Sequence, residues 1–274
     1  MQEITIQLSD GNKVSLKDPA AIYLGAYLTW AREARAFGTL WPCVSYRGHG
    51  CAPPRWKLLP TLCRSCYGQG VDNPKRITLL KQAEGEIILE FSSRFGLSQK
   101  KQIEILAYAQ HHGAPTRLLD WTLNPLVGLW FAVSEKQYDA EPGIVFQLRA
   151  GPEHGICMAR DCDLDHFDNG KCKFQVHVMS SPAFIDRGNR QRGVFSVVGY
   201  SSDSVLKPLD EIANTSVRSF PIPKEFKASL RRLLTEVGID PFTMFGSPDS
   251  VGESWALRLD LSDLLLSPEM EIKS

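Results

Sequence analysis

An α+β domain is what this sequence predicts, with helices mainly in the N-terminal half packed on a mixed, mostly antiparallel sheet. Three observations predict it. Apolar residues recur at helical spacing in the first half of the chain and alternate as in strands in the second half. No repeat, low-complexity tract or clear linker separates the halves. The 274 residues are 43% hydrophobic and 23% charged, which is ordinary for a globular chain able to bury a core.

The elements follow in order. Residues 4–8 alternate as a strand, Asp10-Gly11 makes a turn, and Val14 and Leu16 return, so a hairpin opens the chain. Asp18-Pro19 is an N-cap followed by a first-turn proline, and the helix it starts runs to about Phe37, stopped by Gly38. A short strand spans Val44 to Arg47. Residues 49–76, rich in proline and glycine, read as irregular. Leu79 to Phe95 has helical apolar spacing, and a second helix begins after Ser98 and ends at Gly113 and Pro115. Thr116 to Leu123 reads as a turn. Asn124-Pro125 then caps a helix that is apolar nearly all round and therefore buried. Strands follow at Ile144–Leu148, Phe174–Met179, Val194–Tyr200 and Val217–Phe220, and a helix at Lys224–Val237. These elements divide into a hairpin and helix at 1–38, a main domain at 39–250 and a C-terminal extension at 251–274.

Thirty-one basic and thirty-one acidic residues balance, so no long-range electrostatic footprint for nucleic acid is evident, although local asymmetry is compatible with zero net charge. No apolar run is long enough to span a bilayer, and the start MQEITIQLSD lacks signal architecture, so a cytoplasmic protein without membrane partners is expected. Seven cysteines argue for thiols or a metal rather than a disulfide framework. Cys43, Cys51, Cys63 and Cys66 allow a four-sulfur zinc site. Cys157, Cys162 and Cys172 lie among His154, His166 and His177 but fit zinc spacing poorly, so no metal ligand is assigned. Asp161, Asp163, Asp165 and Asp168 lack the glycine and glutamate of a calcium loop.

Chemistry concentrates in Gln110–Asn124. His111 and His112 end a helix, where its dipole favours an imidazolium. Arg117 offers a planar fork for phosphate or carboxylate. Asp120 is placed to pair with it or with a histidine. Thr122 and Asn124 precede a helix N-terminus, where backbone N–H groups meet anions. Each residue also has a bland role: Arg117 and Asp120 as an ion pair, Asn124 as a cap.

This run resembles the hallmark of the FRG-domain family, Gln-His-x-Gly-x-Pro-Thr-Arg-Leu-Leu-Asp-Trp-Thr-x-Asn-Pro, matched in full from Gln110 to Pro125. The Tyr46-Arg47-Gly48 triplet, then Trp56, Leu58 and Pro60, then Glu86 and Phe91 match earlier elements. Arg187, Gln191, Gly193 and Phe195 match a later one, so the resemblance covers about residues 40–245. The order Arg47-Gly48, Thr122 and Gln191 is also similar to the three motifs of Arg, Ser/Thr, Glu type ADP-ribosyltransferases. That likeness implies an ADP-ribosyltransferase-like fold and site with NAD as substrate. Tyr46, Arg47, Gly48, Thr122, Asn124 and Gln191 would hold the ligand. Glu86, His111, Arg117 and Asp120 would be catalytic. The departure is Arg190-Gln191-Arg192, which has no glutamate. The alternatives are a hydrolase or nuclease using His111 with Arg47 and Arg117 as phosphate clamps, and a non-catalytic module that senses a nucleotide or binds a partner. Whether an acceptor is protein or nucleic acid stays open.

Overall fold

The computed structural model describes residues 4–7, 13–16, 18–33, 43–52, 57–64, 73–151, 156–158, 164–170, 174–201, 203–212 and 216–258. The elements, in order, are β1 (Ile4–Gln7), β2 (Lys13–Leu16), α1 (Pro19–Glu33), β3 (Cys43–His49), α2 (Thr61–Arg64), α3 (Asn73–Arg94), α4 (Gln102–His111), β4 (Leu118–Thr122) and α5 (Pro125–Val133). There follow β5 (Gly143–Ala150), β6 (Ile156–Met158), α6 (Leu164–Asp168), β7 (Val176–Ser180), α7 (Asp186–Arg190), β8 (Gly193–Val198), β9 (Ser216–Ile222), α8 (Lys227–Glu236), α9 (Pro241–Phe245) and α10 (Pro248–Arg258). The α+β expectation holds. A hairpin of β1 and β2 stands apart from a seven-stranded sheet ordered β6-β7-β8-β4-β3-β5-β9, antiparallel except for β6 beside β7.

Local rules set most boundaries. Asp18 Oδ1 accepts from the Ala20 N–H at 2.9 Å and starts α1. Asn124 Oδ1 accepts from the Leu126 N–H at 3.0 Å, with Pro125 in the first turn of α5. The expected stop at Gly38 lies outside the described residues, as do Trp56, Cys66, His154, Asp161, Cys162, Asp163 and Cys172.

Two expectations are corrected. Helix α3 starts at Asn73, not near Leu79, because Pro74 falls in the first turn, where a missing N–H removes no helical bond. Thr116–Leu123 is not a turn: it contains β4, in the middle of the sheet. The strand is covered on both faces. Leu118 packs with Ile103, Leu106 and Phe195, while Leu119 and Trp121 pack with Leu80, Phe146 and Val194. Burial on both sides removes the polar alternation that announces a strand.

Pairing in the sheet is uneven. Strand β3 pairs with β5 at seven positions, from Cys43↔Ala150 to His49↔Ile144. Strand β4 pairs with β8 at five, from Leu118↔Val197 to Thr122↔Gly193. Between β3 and β4 a single pair is formed, Tyr46↔Thr122. The sheet is thus two well-paired blocks joined at one point. Helices α1, α5 and α8 pack over Tyr46, Val145 and Ile222 on one block, and α4 covers Leu118, Phe195 and Val197 of the other. No helix among the described residues is long and apolar enough to cross a membrane.

Candidate functional site

Where β3 and β4 separate, a cavity of about 380 Å³ opens, bounded by residues 47–50 on one wall and 120–122 on the other. That size suits a small-molecule site. Helix α4 contributes Gln110 and His111, α2 contributes Thr61 and Arg64, and the α7–β8 region contributes Arg187 and Gln191.

The Tyr46-Arg47-Gly48 triplet divides its labour by strand alternation. Tyr46 is fully buried and its hydroxyl donates to the Ala31 carbonyl at 3.0 Å. Gly48 lies against α5 so closely that a Cβ would stand 2.0 Å from the Gly128 oxygen and 2.6 Å from the Ala132 nitrogen. Only a missing side chain permits this approach. Arg47, between them, points to the opposite face and into the cavity. Its Nη1 donates to the Asp120 carbonyl at 2.6 Å and lies 3.7 Å from the Asp120 carboxylate. A side chain here replaces the backbone bonds missing between the strands.

Period two also brings in His49, which spacing from Arg47 would have revealed. Arg47 Nε donates to His49 Nε2 at 3.2 Å, which requires that nitrogen to be a bare acceptor. Burial first, and then the charges of Arg47 and Arg64, lower His49 to about 2. Arg64, on the single-turn helix α2, had no periodic signal to find it. Burial lowers Arg47, Arg64 and Arg187 from the ordinary arginine value, and Asp120 opposes that lowering in all three. All three arginines line the cavity with Asp120, and Arg47 lies 3.7 Å from its carboxylate.

Asp120 is exposed to the cavity and held by Gln110, whose Nε2 donates to its Oδ1 at 2.7 Å. The Thr116 hydroxyl donates to Gln110 Oε1, which fixes the amide orientation. His111 lines the cavity, but the expected imidazolium is not favoured. Burial lowers its pKa, and His112 and Arg187 add to the lowering, so these outweigh the helix dipole. The Thr122 hydroxyl donates to the Gln191 carbonyl at 2.6 Å and accepts from the Asn124 N–H at 3.0 Å. It fastens the end of β4 to the α7–β8 turn, where Arg192 has φ of 48°. The Gln191 amide donates to the Met244 carbonyl at 3.3 Å. Ser181 Oγ, in the cavity wall, is buried with no hydrogen-bond partner.

Three expected site residues lie elsewhere. Arg117 shares the parity of Leu119 and Trp121 and points away from the cavity into a buried cluster. Its Nη1 and Nη2 donate to Asp168 at 2.6 and 2.7 Å, and its Nε lies 3.0 Å from Glu84. At 1% exposure it cannot clamp a phosphate. Glu86 is on the exposed face of α3, accepting from Gln82 at 3.2 Å. The Asn124 side chain is occupied as the cap of α5. The carboxylate that sequence spacing missed is Glu84, which burial pushes up to about 7 against the pull of Arg117.

Cys51 and Cys63 are buried thiols, and among the described residues no three His, Cys, Asp or Glu side chains gather to hold a metal ion. Residues 43–141 match the family model of the FRG domain. Searches of curated proteins and of solved structures gave no match. The matched stretch contains Arg47, Arg64, His111 and Asp120, while Ser181, Arg187 and Gln191 lie beyond it.

Proposed function

Because this chain carries an FRG domain, and that domain supplies most of the cavity wall, we propose that the cavity binds a nucleotide by its phosphates and uses NAD in ADP-ribosyltransferase-like chemistry. The carrying observation is that Arg47, Arg64 and Arg187 line one cavity together with Asp120. Guanidiniums in a partly desolvated cleft suit the paired negative charges of a diphosphate. The Ser181 hydroxyl adds a hydrogen-bonding group that the protein leaves unused.

In this reading Arg47 grips phosphate, as its place in the family's triplet implies. Thr122 and Gln191 act on the ligand through the shape of the wall, since the Thr122 hydroxyl is spent on the Gln191 carbonyl. Transfer breaks the bond between nicotinamide and ribose and forms one between ribose and an acceptor nucleophile. The acceptor's proton needs a base, and positive charge developing at the ribose needs a nearby anion. Gln191 can supply neither. Asp120, exposed in the cavity and oriented by Gln110, takes both tasks. We also propose that the functional unit runs from 39 to 250. The sheet that builds the cavity is completed by β8 and β9, past the end of the matched residues.

The test is to incubate the protein with labelled NAD and to follow binding by calorimetry and nicotinamide release by chromatography. Binding that is lost in Arg47→Ala, with release lost in Asp120→Asn, supports the reading. A folded protein that neither binds nor turns over NAD rejects it. A hydrolase reading is favoured by one observation, the lowered pKa of His111 at the cavity edge, which leaves it able to accept a proton. It predicts phosphate release or strand cleavage that disappears in His111→Ala. Tight nucleotide binding without any product would mark a sensing module instead.

A further inference from the structure

Beside the cavity lies a surface that the nucleotide reading does not use. Phe91 and Phe95 at the end of α3, Tyr108 and His112 at the end of α4, and Phe184 before α7 form a connected group of rings. Tyr108 stands 4.5 Å from His112, 5.8 Å from Phe95 and 6.1 Å from Phe184, centre to centre. Phe91 lies 5.4 Å from Phe95, and the Phe95 and His112 planes are 8° from parallel. Phe95 and Phe184 are 53% and 39% exposed, so the rings are a surface and not a core.

Cations edge this surface. Lys100 Nζ lies 4.7 Å from the centre of the Phe184 ring. Lys101 and Arg94 are exposed on the same connection between α3 and α4. Arg94 is paired with Glu90 at 2.9 Å and Glu104 accepts from the Lys101 N–H at 3.0 Å, so Lys100 is the cation seated on the rings. The ledge is continuous with the cavity, since His111 follows from the His112 side and Ile185 and Arg187 from the Phe184 side.

We infer that this ledge of rings and lysines binds single-stranded nucleic acid and leads it to the cavity mouth. The composition decides the class of partner. Here flat rings alternate with cations. Unpaired bases stack on flat rings, and phosphates between them reach the cations, a combination that tolerates any sequence. A duplex hides its base faces and has no such fit.

The inference stands apart from the NAD reading, and the experiment separates them. A fluorescent single strand of about a dozen nucleotides, and its duplex, are titrated with the full chain and followed by anisotropy. The single strand binds more tightly than the duplex, and affinity falls steeply with salt. Phe95→Ala combined with Phe184→Ala weakens binding about tenfold or more, since each stacked base is worth a factor of that order. Lys100→Glu weakens it further, while Arg47→Ala leaves it unchanged. Both phenylalanines are surface residues, and circular dichroism confirms folding of the variants. NAD binding, measured on the phenylalanine and Lys100 variants, stays at the wild-type level. No binding by folded wild-type protein, equal binding of duplex, or insensitivity to the double substitution overturns the inference.

Discussion

Two arginine clusters sit within one sheet, and their carboxylate content differs. At Arg117 one guanidinium meets two carboxylates, Asp168 and Glu84, inside the protein. At the cavity Arg47 lies 3.7 Å from the exposed Asp120 carboxylate, and Arg64 and Arg187 line the same wall. The first cluster is buried. Arg117 Nη1 and Nη2 donate to Asp168, the Tyr200 ring lies 4.1 Å from the guanidinium carbon, and the Tyr200 N–H donates to Asp168 at 3.0 Å. In the second, Arg47 donates to the Asp120 carbonyl and to His49, Arg64 donates to the Leu59 carbonyl, and all three arginines line the cavity. How deeply an arginine is enclosed is set by what the fold brings to it, which a motif letter does not record.

The largest test of that contrast is Arg117→Ala. It leaves Glu84 and Asp168 facing each other without a counter-charge, and breaking a buried pair this way costs about 3–5 kcal/mol. Urea unfolding should show that loss, with nucleotide affinity per folded molecule unchanged. A loss of affinity with intact stability would erase the distinction between the clusters.

Next is Arg47→Ala, for which the contrast runs the other way. Nucleotide affinity should fall at least about tenfold by calorimetry, while stability drops by only about 1 kcal/mol for the lost hydrogen bonds. Of similar structural size is Gly48→Ala. Its methyl group must push β3 from α5, a strain of about 1–3 kcal/mol measurable as a lower melting temperature.

The clusters should also differ in pH response. Folding raises the Glu84 carboxyl from 4.5 to about 7, so its contribution is full below 4.5 and is lost as pH rises through 7. Folding lowers His49 from 6.5 to about 2, so its contribution is present above 6.5 and is lost as pH falls towards 2. In unfolding midpoints measured across pH, Glu84→Gln should flatten the decline between 4.5 and 7 and leave the acid limb alone. The smallest effect belongs to Glu86→Gln. An exposed side chain bonded only to its helical neighbour should change stability by less than about 0.5 kcal/mol and activity not at all. A large activity loss there would return Glu86 to the candidate list.

The chain made some of this legible and hid the rest for identifiable reasons. Caps such as Asp18 and Asn124 act within a few residues, so the helices they begin were readable. The cavity segment was readable because Gln110, His111 and Asp120 crowd one short stretch. Strand β4 was not, since helices and core cover both of its faces and leave no alternation. With β4 unread, the parity that sends Asp120 to the cavity and Arg117 to the interior could not be assigned. Glu84 and Asp168 are 33 and 51 residues from Arg117, beyond the reach of any local pattern.

The lone Tyr46↔Thr122 pair has a mechanical meaning. Each half of the sheet is closely paired, and across the seam run one backbone pair and the Arg47 bond to the Asp120 carbonyl, like a book held by two stitches. Helix α5 leaves β4 and lies across β3, so it forms the spine of that book. Arg47 belongs to one cover, and His111, Asp120 and Arg187 to the other. A molecule gripped by both covers becomes a third stitch, and its binding should slow amide hydrogen exchange far from the atoms it touches, on both sides of the seam at once.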